Sequence, residues 1–109
     1  MIIAIVEIPR PAKAPREAAV AAALGSVGIY REVKGLRRKH YLNGEMGGGG
    51  VYEFDSRENA EAWFHAGWAD WMEGRFGVRP TLKLFDCHVV LDNVAGEVRV
   101  DGVPAEAPA

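Results

Sequence analysis

Cysteine is almost missing from this chain. Cys87 is the single one among 109 residues, so no internal disulfide can form, and the fold is expected not to depend on oxidation, as suits a protein of the cytoplasm. Long apolar runs are missing too. None approaches the roughly 20 residues a membrane helix needs, and the apolar stretch at the start, Met1 to Val6, has no positive flank, so neither membrane insertion nor export is expected. An excess of one charge is also lacking: 13 Lys and Arg against 15 Asp and Glu leave a formal net charge of -2. That balance is not the electrostatic footprint of a nucleic-acid binder. The one basic cluster, Arg37, Arg38, Lys39 and His40, falls within a predicted strand and would spread over two opposite faces. No nucleic-acid partner is expected, and no internal repeat or low-complexity linker divides the chain.

What is present suits one small folded domain: the composition is 49% hydrophobic and 26% charged. Ile2 to Ile8 is a nearly continuous run rich in β-branched residues, stopped by Pro9 and Pro11, and reads as a strand buried on both faces. Pro15 at a first helical turn, the alanines through Leu24 and Gly25 as a C-terminal cap predict a helix over Pro15 to Leu24 with a stripe of Val20, Ala23, Leu24 and Val27. Ile29 to Leu42 reads as a second strand with a bend at Gly35, and Asn43-Gly44 as the turn of a hairpin leading into Gly47 to Phe54. Ala60, Trp63, Phe64, Gly67, Trp68 and Trp71 share one face of a second, continuous helix. Thr81 to Leu91 reads as the fourth strand.

The order β-α-β-β-α-β predicts an α+β, ferredoxin-like domain over residues 1–93, with a four-stranded antiparallel sheet and two helices on one face. Both parities of the first and fourth strands are apolar, Ile2, Ala4 and Val6 against Ile3 and Ile5, and Leu82 and Leu84 against Phe85, Cys87 and Val89. One domain has no second layer to cover both faces, so a homodimer is expected. In the tail, residues 94–109, the alternating segment Glu97 to Val100 is a candidate for pairing with a partner's sheet edge, ahead of a proline-alanine end expected to be disordered.

Four segments carry a family resemblance: Gly35-Leu36-Arg37-Arg38-Lys39-His40-Tyr41-Leu42, Gly48-Gly49-Gly50-Val51-Tyr52, Ser56-Arg57-Glu58-Asn59-Ala60-Glu61-Ala62, and Phe85 through Asn93. Over roughly Gly28 to Asn93 the chain resembles the monooxygenases of the YdhR type, within the dimeric α/β-barrel superfamily. The resemblance implies two protomers whose sheets face each other as a barrel, with a pocket between each sheet and its own helices. It also implies oxidation of polycyclic phenols or hydroquinones by dioxygen with no metal or flavin.

Trp63, Phe64, Trp68 and Trp71, with Tyr52 and Phe54, either wall a pocket for a flat aromatic ligand or form a plain helix-on-sheet core. The alanines of the first helix and the glycines Gly47 to Gly50 favour the pocket, because small side chains facing large ones leave room. His40 is the candidate proton acceptor and Arg38, on the same strand face, the candidate oxyanion partner; the alternative for both is a strand surface or an interface. Which parity of that strand faces the helices is left open, since Arg37, Lys39 and Tyr41 are as polar as Leu36, Arg38, His40 and Leu42. Tyr52, Trp63, Phe64 and Trp68 are the candidate substrate contacts. No metal or other cofactor is expected: His40, His65, His88 and Cys87 show no ligand spacing, and the glycine run lacks the lysine and helix of a phosphate loop. The two functions in play are a cofactor-free monooxygenase and a non-catalytic dimer that binds a small hydrophobic ligand.

Overall fold

The apolar stretch at the start of the chain is an inner strand with a hydrogen-bonded neighbour on each side; Ile2, Ala4 and Val6 are buried on one face, while Ile3 and Ile5 on the other are only half-buried, so it is not buried on both faces as expected. The structure is a computed structural model that describes residues 1–108. The core elements in chain order are β1 (Ile2–Pro9), α1 (Arg16–Arg31), β2 (Leu36–Gly44), β3 (Gly47–Phe54), α2 (Arg57–Trp63), α3 (Trp68–Phe76) and β4 (Thr81–Asp86). The strands form one antiparallel sheet in the order β2-β3-β1-β4. Ile2, Ala4, Val6, Tyr52 and Phe54 point from one face of it into the helices, where Tyr30, Ala60, Trp68 and Met72 complete the core. The architecture is α+β, compatible with a ferredoxin-like fold. Among the described residues no helix is long and apolar enough to cross a membrane.

Several expected boundaries moved, each for a tertiary reason. The first helix does not stop at Gly25; it continues to Arg31, seven residues beyond Leu24, so the strand expected from Ile29 begins only at Leu36. Glycine lowers helix propensity by about 1 kcal/mol, but burial of Ser26 and of the Tyr30 ring in the continuing turns offsets it. The inward stripe changes accordingly, leaving Val20 and Leu24 exposed. The hairpin turn is Glu45-Met46 rather than Asn43-Gly44, with Gly44 paired to Gly47. Asn43 is spent elsewhere: its side-chain nitrogen donates to the Ala14 carbonyl at 2.8 Å, and its oxygen accepts from the Ala14 amide at 3.1 Å.

The second helix is broken in two. Gly67 donates its amide to His65 Nδ1 at 3.0 Å and Phe64 leaves the helical region, so residues 64–67 form a turn between α2 and α3. Ring packing carries the aromatic stripe across the break: Phe64 meets Trp68 at 4.9 Å between centroids, and Trp63 meets Trp71 at 5.8 Å.

The expected fourth strand also divides, at Cys87-His88, where the Cys87 amide donates to the Met1 carbonyl. Beyond it β5 (Val89–Asp92), β6 (Glu97–Val100) and β7 (Val103–Ala105) form a separate three-stranded meander with β6 in the middle. The segment expected to meet a partner's edge is thus paired on both sides within its own chain. Asp101-Gly102, with φ of 47° and 81°, makes the tight β6-β7 turn. Residues 106–108 carry no regular structure, and Ala109, the last residue of the end expected to be disordered, lies outside the described residues.

Registration places Val89, Val100 and Val103 in one row and Leu91, Val98 and Ala105 in the next, so one face of the meander is wholly apolar. Val89, Leu91 and Val103 are 59%, 65% and 65% exposed. The meander extends away from the core: the radius of gyration is 15.6 Å, where a chain of this length packed as one compact body has about 13 Å.

Candidate ligand cavity

Small residues open a space on the helix side of the sheet. Ala19, Ala22, Ala23 and Gly25 of α1 face Gly48 and Gly49 of β3 across a cavity of about 910 Å³. The glycines there are required by the sheet itself. Gly49 has φ of 140°, and a Cβ on it would collide with the Val6 carbonyl of the adjacent strand. A side chain therefore cannot grow from Gly49, one at Gly48 would meet the Arg10 guanidinium, and the α1 face above offers little but methyl groups.

The inner end of the cavity is formed by Tyr30 of α1, Tyr41 of β2 and Tyr52 of β3, with Lys39 of β2 among them. Lys39 Nζ lies 3.3 Å from the centre of the Tyr30 ring, 4.0 Å from that of Tyr41 and 4.8 Å from that of Tyr52. Burial, reinforced by the Arg75 guanidinium, lowers the Lys39 ammonium to about 7. The three ring faces act in the opposite sense, since each attracts the charged form. Lys39 is thereby held close to the point of exchanging its proton at neutral pH. Tyr52 is pushed up, first by burial and then by Tyr30, so it remains a neutral phenol. Its hydroxyl donates a long 3.5 Å hydrogen bond to Tyr30, and Tyr41 reaches Ser26 Oγ at 3.0 Å.

The sequence-predicted site residues do not all come together here. Of Tyr52, Trp63, Phe64 and Trp68, only Tyr52 lines the cavity. Phe64 and Trp68 pack against each other in the core, and Trp63 packs on Tyr30 and borders a separate, smaller depression next to Val33 and Asn59. His40 and Arg38 lie on the opposite face of the sheet. A bulge between Leu36 and Arg38 sets the parity that sequence left open: Lys39 stands opposite the buried Tyr52, so its neighbours Arg38 and His40 point away from the helices. Arg38 instead reaches Glu53 at 3.8 Å, with Arg37 on the same carboxylate at 3.7 Å. Neither His40 nor Arg38 can act on a molecule in this cavity without passing through the sheet.

The other histidines have local partners. His65 accepts from Gly67, and His88 Nδ1 lies 3.0 Å from Asp101 on the meander. Among the described residues no group of three or more His, Cys, Asp or Glu side chains is placed to hold a metal. Lys39 was missed in sequence because it looked like one more charge in a basic run. Its signal was the alternation Lys39-Tyr41-Asn43, which becomes legible once Tyr52 is known to be buried.

No protein-family model matches the chain, and no curated protein matches it. The functional reading therefore rests on the cavity and its chemistry.

Proposed function

We propose that this protein is a cofactor-independent monooxygenase that takes a small phenol or hydroquinone into the cavity, with Lys39 in the role first expected of His40. The observation that carries the reading is the Lys39 amine held within three tyrosine rings at the end of a roomy, mostly apolar cavity. A neutral amine there accepts the phenolic proton, and the phenolate becomes electron-rich enough to react with dioxygen. One oxygen atom enters the ring, the other leaves as water, and a quinone results, so the balance requires no added reductant. The Arg75 guanidinium, close enough to depress Lys39, favours the anionic oxygen. Beyond the Lys39 base, the protein supplies position and electrostatics.

The alternative is a non-catalytic protein that binds a small hydrophobic or aromatic molecule in the same space; it is favoured by the placement of His40 and Arg38 outside the cavity. Oxygen uptake by chelator-treated protein with a panel of naphthols and hydroxyanthracenes separates the two. Saturable uptake that Lys39→Met lowers by about a hundredfold or more, and that His40→Ala leaves intact, supports the monooxygenase. Binding reported by tryptophan fluorescence without uptake sinks it in favour of the binding protein. Loss of uptake in His40→Ala would refute Lys39 as the base.

The same reading has the chain acting as a homodimer of the dimeric α/β-barrel kind, in the cytoplasm. Ile3, Ile5, Val51 and Phe85 sit on the sheet face turned away from the helices, with Phe85 49% exposed, and the apolar face of the meander stands free beyond it. A second copy laid on these residues would cover them.

A further inference from the structure

The cavity is charged in one sense only. Five of the chain's 13 lysines and arginines line it, Arg10, Lys13, Arg16, Lys39 and Arg75, and none of its 15 acidic side chains does. Such a distribution is notable in a chain whose net charge is -2. Among the described residues, Arg10, Lys13, Lys39 and Arg75 form no ion pair, while Arg16 meets only its neighbour Glu17 at 3.9 Å. Arg10 is the least satisfied of them. Its Nε is buried with no hydrogen-bond partner among the described residues, and one terminal nitrogen makes a single 3.4 Å bond to Asn43 Oδ1. Arg10 is half-buried, and a guanidinium with one nitrogen shielded from water and unpartnered, and no anion beside it, is suited to a carboxylate, whose two oxygens match its fork.

Position turns this charge into a statement about ligand shape. Lys39 and Asn43 point to the same side of β2, four residues apart, opposite Tyr52 and Gly48 of β3. Four residues along a strand span about 13 Å. The cavity therefore has a cation at each end, Lys39 with Arg75 at the tyrosine end and Arg10 beside Asn43 at the other, separated by a wall of alanine and glycine. We infer that the ligand is an elongated aromatic acid: a phenol whose hydroxyl meets Lys39 and whose far end carries a carboxylate that pairs with Arg10. This inference rests on the reading of the cavity as a ligand site but not on the oxygenase chemistry. It makes Arg10 a specificity-determining residue, acting on the end of the ligand that does not react.

The test is binding of a matched set of probes, 4′-hydroxybiphenyl-4-carboxylate, 4-phenylphenol and biphenyl-4-carboxylate, by isothermal titration with the full chain at low and moderate salt. The hydroxy acid is expected to bind at least tenfold more tightly than 4-phenylphenol, with a preference that shrinks as salt is raised. Arg10→Met is expected to abolish the preference while leaving 4-phenylphenol affinity within about twofold, and Arg10→Lys to restore part of it as a point charge. Equal affinity of wild-type protein for the hydroxy acid and 4-phenylphenol would overturn the inference and leave the cavity reading standing. So would an Arg10→Met variant that weakens both probes alike. Failure of all three probes to bind would overturn the cavity reading and this inference with it.

Discussion

Replacing Lys39 by Met should change how stability responds to pH, and the sign follows from the direction in which burial moves its proton. The ammonium falls from its ordinary 10.5 to about 7 in the folded protein. Between those values the unfolded chain holds a proton that the native state has released, so wild-type stability rises with pH through this window and is lost as pH falls through it. Below about 7 the cost of burying the ammonium is fully present, and above 10.5 it is absent. Each pKa unit corresponds to about 1.4 kcal/mol, which sets a ceiling of roughly 4 kcal/mol at pH 7. Solvent reaches part of the side chain and the tyrosine faces favour the charge, which brings the expected effect down to about 1–2 kcal/mol. Lys39→Met has no such group. Urea unfolding of both proteins at several pH values from 6 to 10, followed by tryptophan fluorescence, should show the stability of the wild type relative to the variant increasing by that amount between pH 7 and 10. A difference that stays constant across the range would refute the placement of Lys39 as a buried, depressed amine, whatever its absolute size.

Two further outcomes test the frame around the cavity. Gly49→Ala should cost about 3 kcal/mol or more, because its φ of 140° and the Val6 carbonyl both oppose a side chain, whereas Gly25→Ala, with open space around a helical backbone, should raise stability by up to about 1 kcal/mol; thermal unfolding of the pair reads both. If the apolar faces meet a second copy, wild-type protein should sediment at twice the 11.9 kDa of one protomer and the Leu91→Asp, Val103→Asp variant at once, and a wild type that is already monomeric at micromolar concentration would refute the dimer.

Much of the frame could be read from residues near one another in sequence. Strand patterning in Ile2 to Ile8, a hairpin signal at Asn43-Gly44 that fell two residues short of the actual turn, and the helical spacing of Trp63, Phe64, Trp68 and Trp71 all report local preferences, and they led to an α+β chain with an antiparallel sheet of four strands. Small residues of the first helix and third strand facing the tryptophans left two outcomes open in the sequence, a plain core or a space; the space that forms lies between the alanines and the glycines, and no tryptophan lines it. The Asp101-Gly102 turn was equally local and went unread, and with it the meander that it closes.

Tertiary structure alone decided the chemistry. Whether Lys39 or His40 faces the helices depends on a one-residue bulge, and a strand exchanges its whole set of inward side chains when its register slips by one. Whether α1 stops at Gly25 depends on Tyr30 finding the rings of Tyr52 and Trp63, a contact across the chain that outweighs a local glycine penalty. The five cations around the cavity are scattered from residue 10 to residue 75, and only the packing of two helices over the sheet gathers them with no carboxylate between. Patterning along the chain determines which faces can be buried; which amine meets the tyrosine rings, and the charge of the cavity, are set by which distant residues the packing brings face to face.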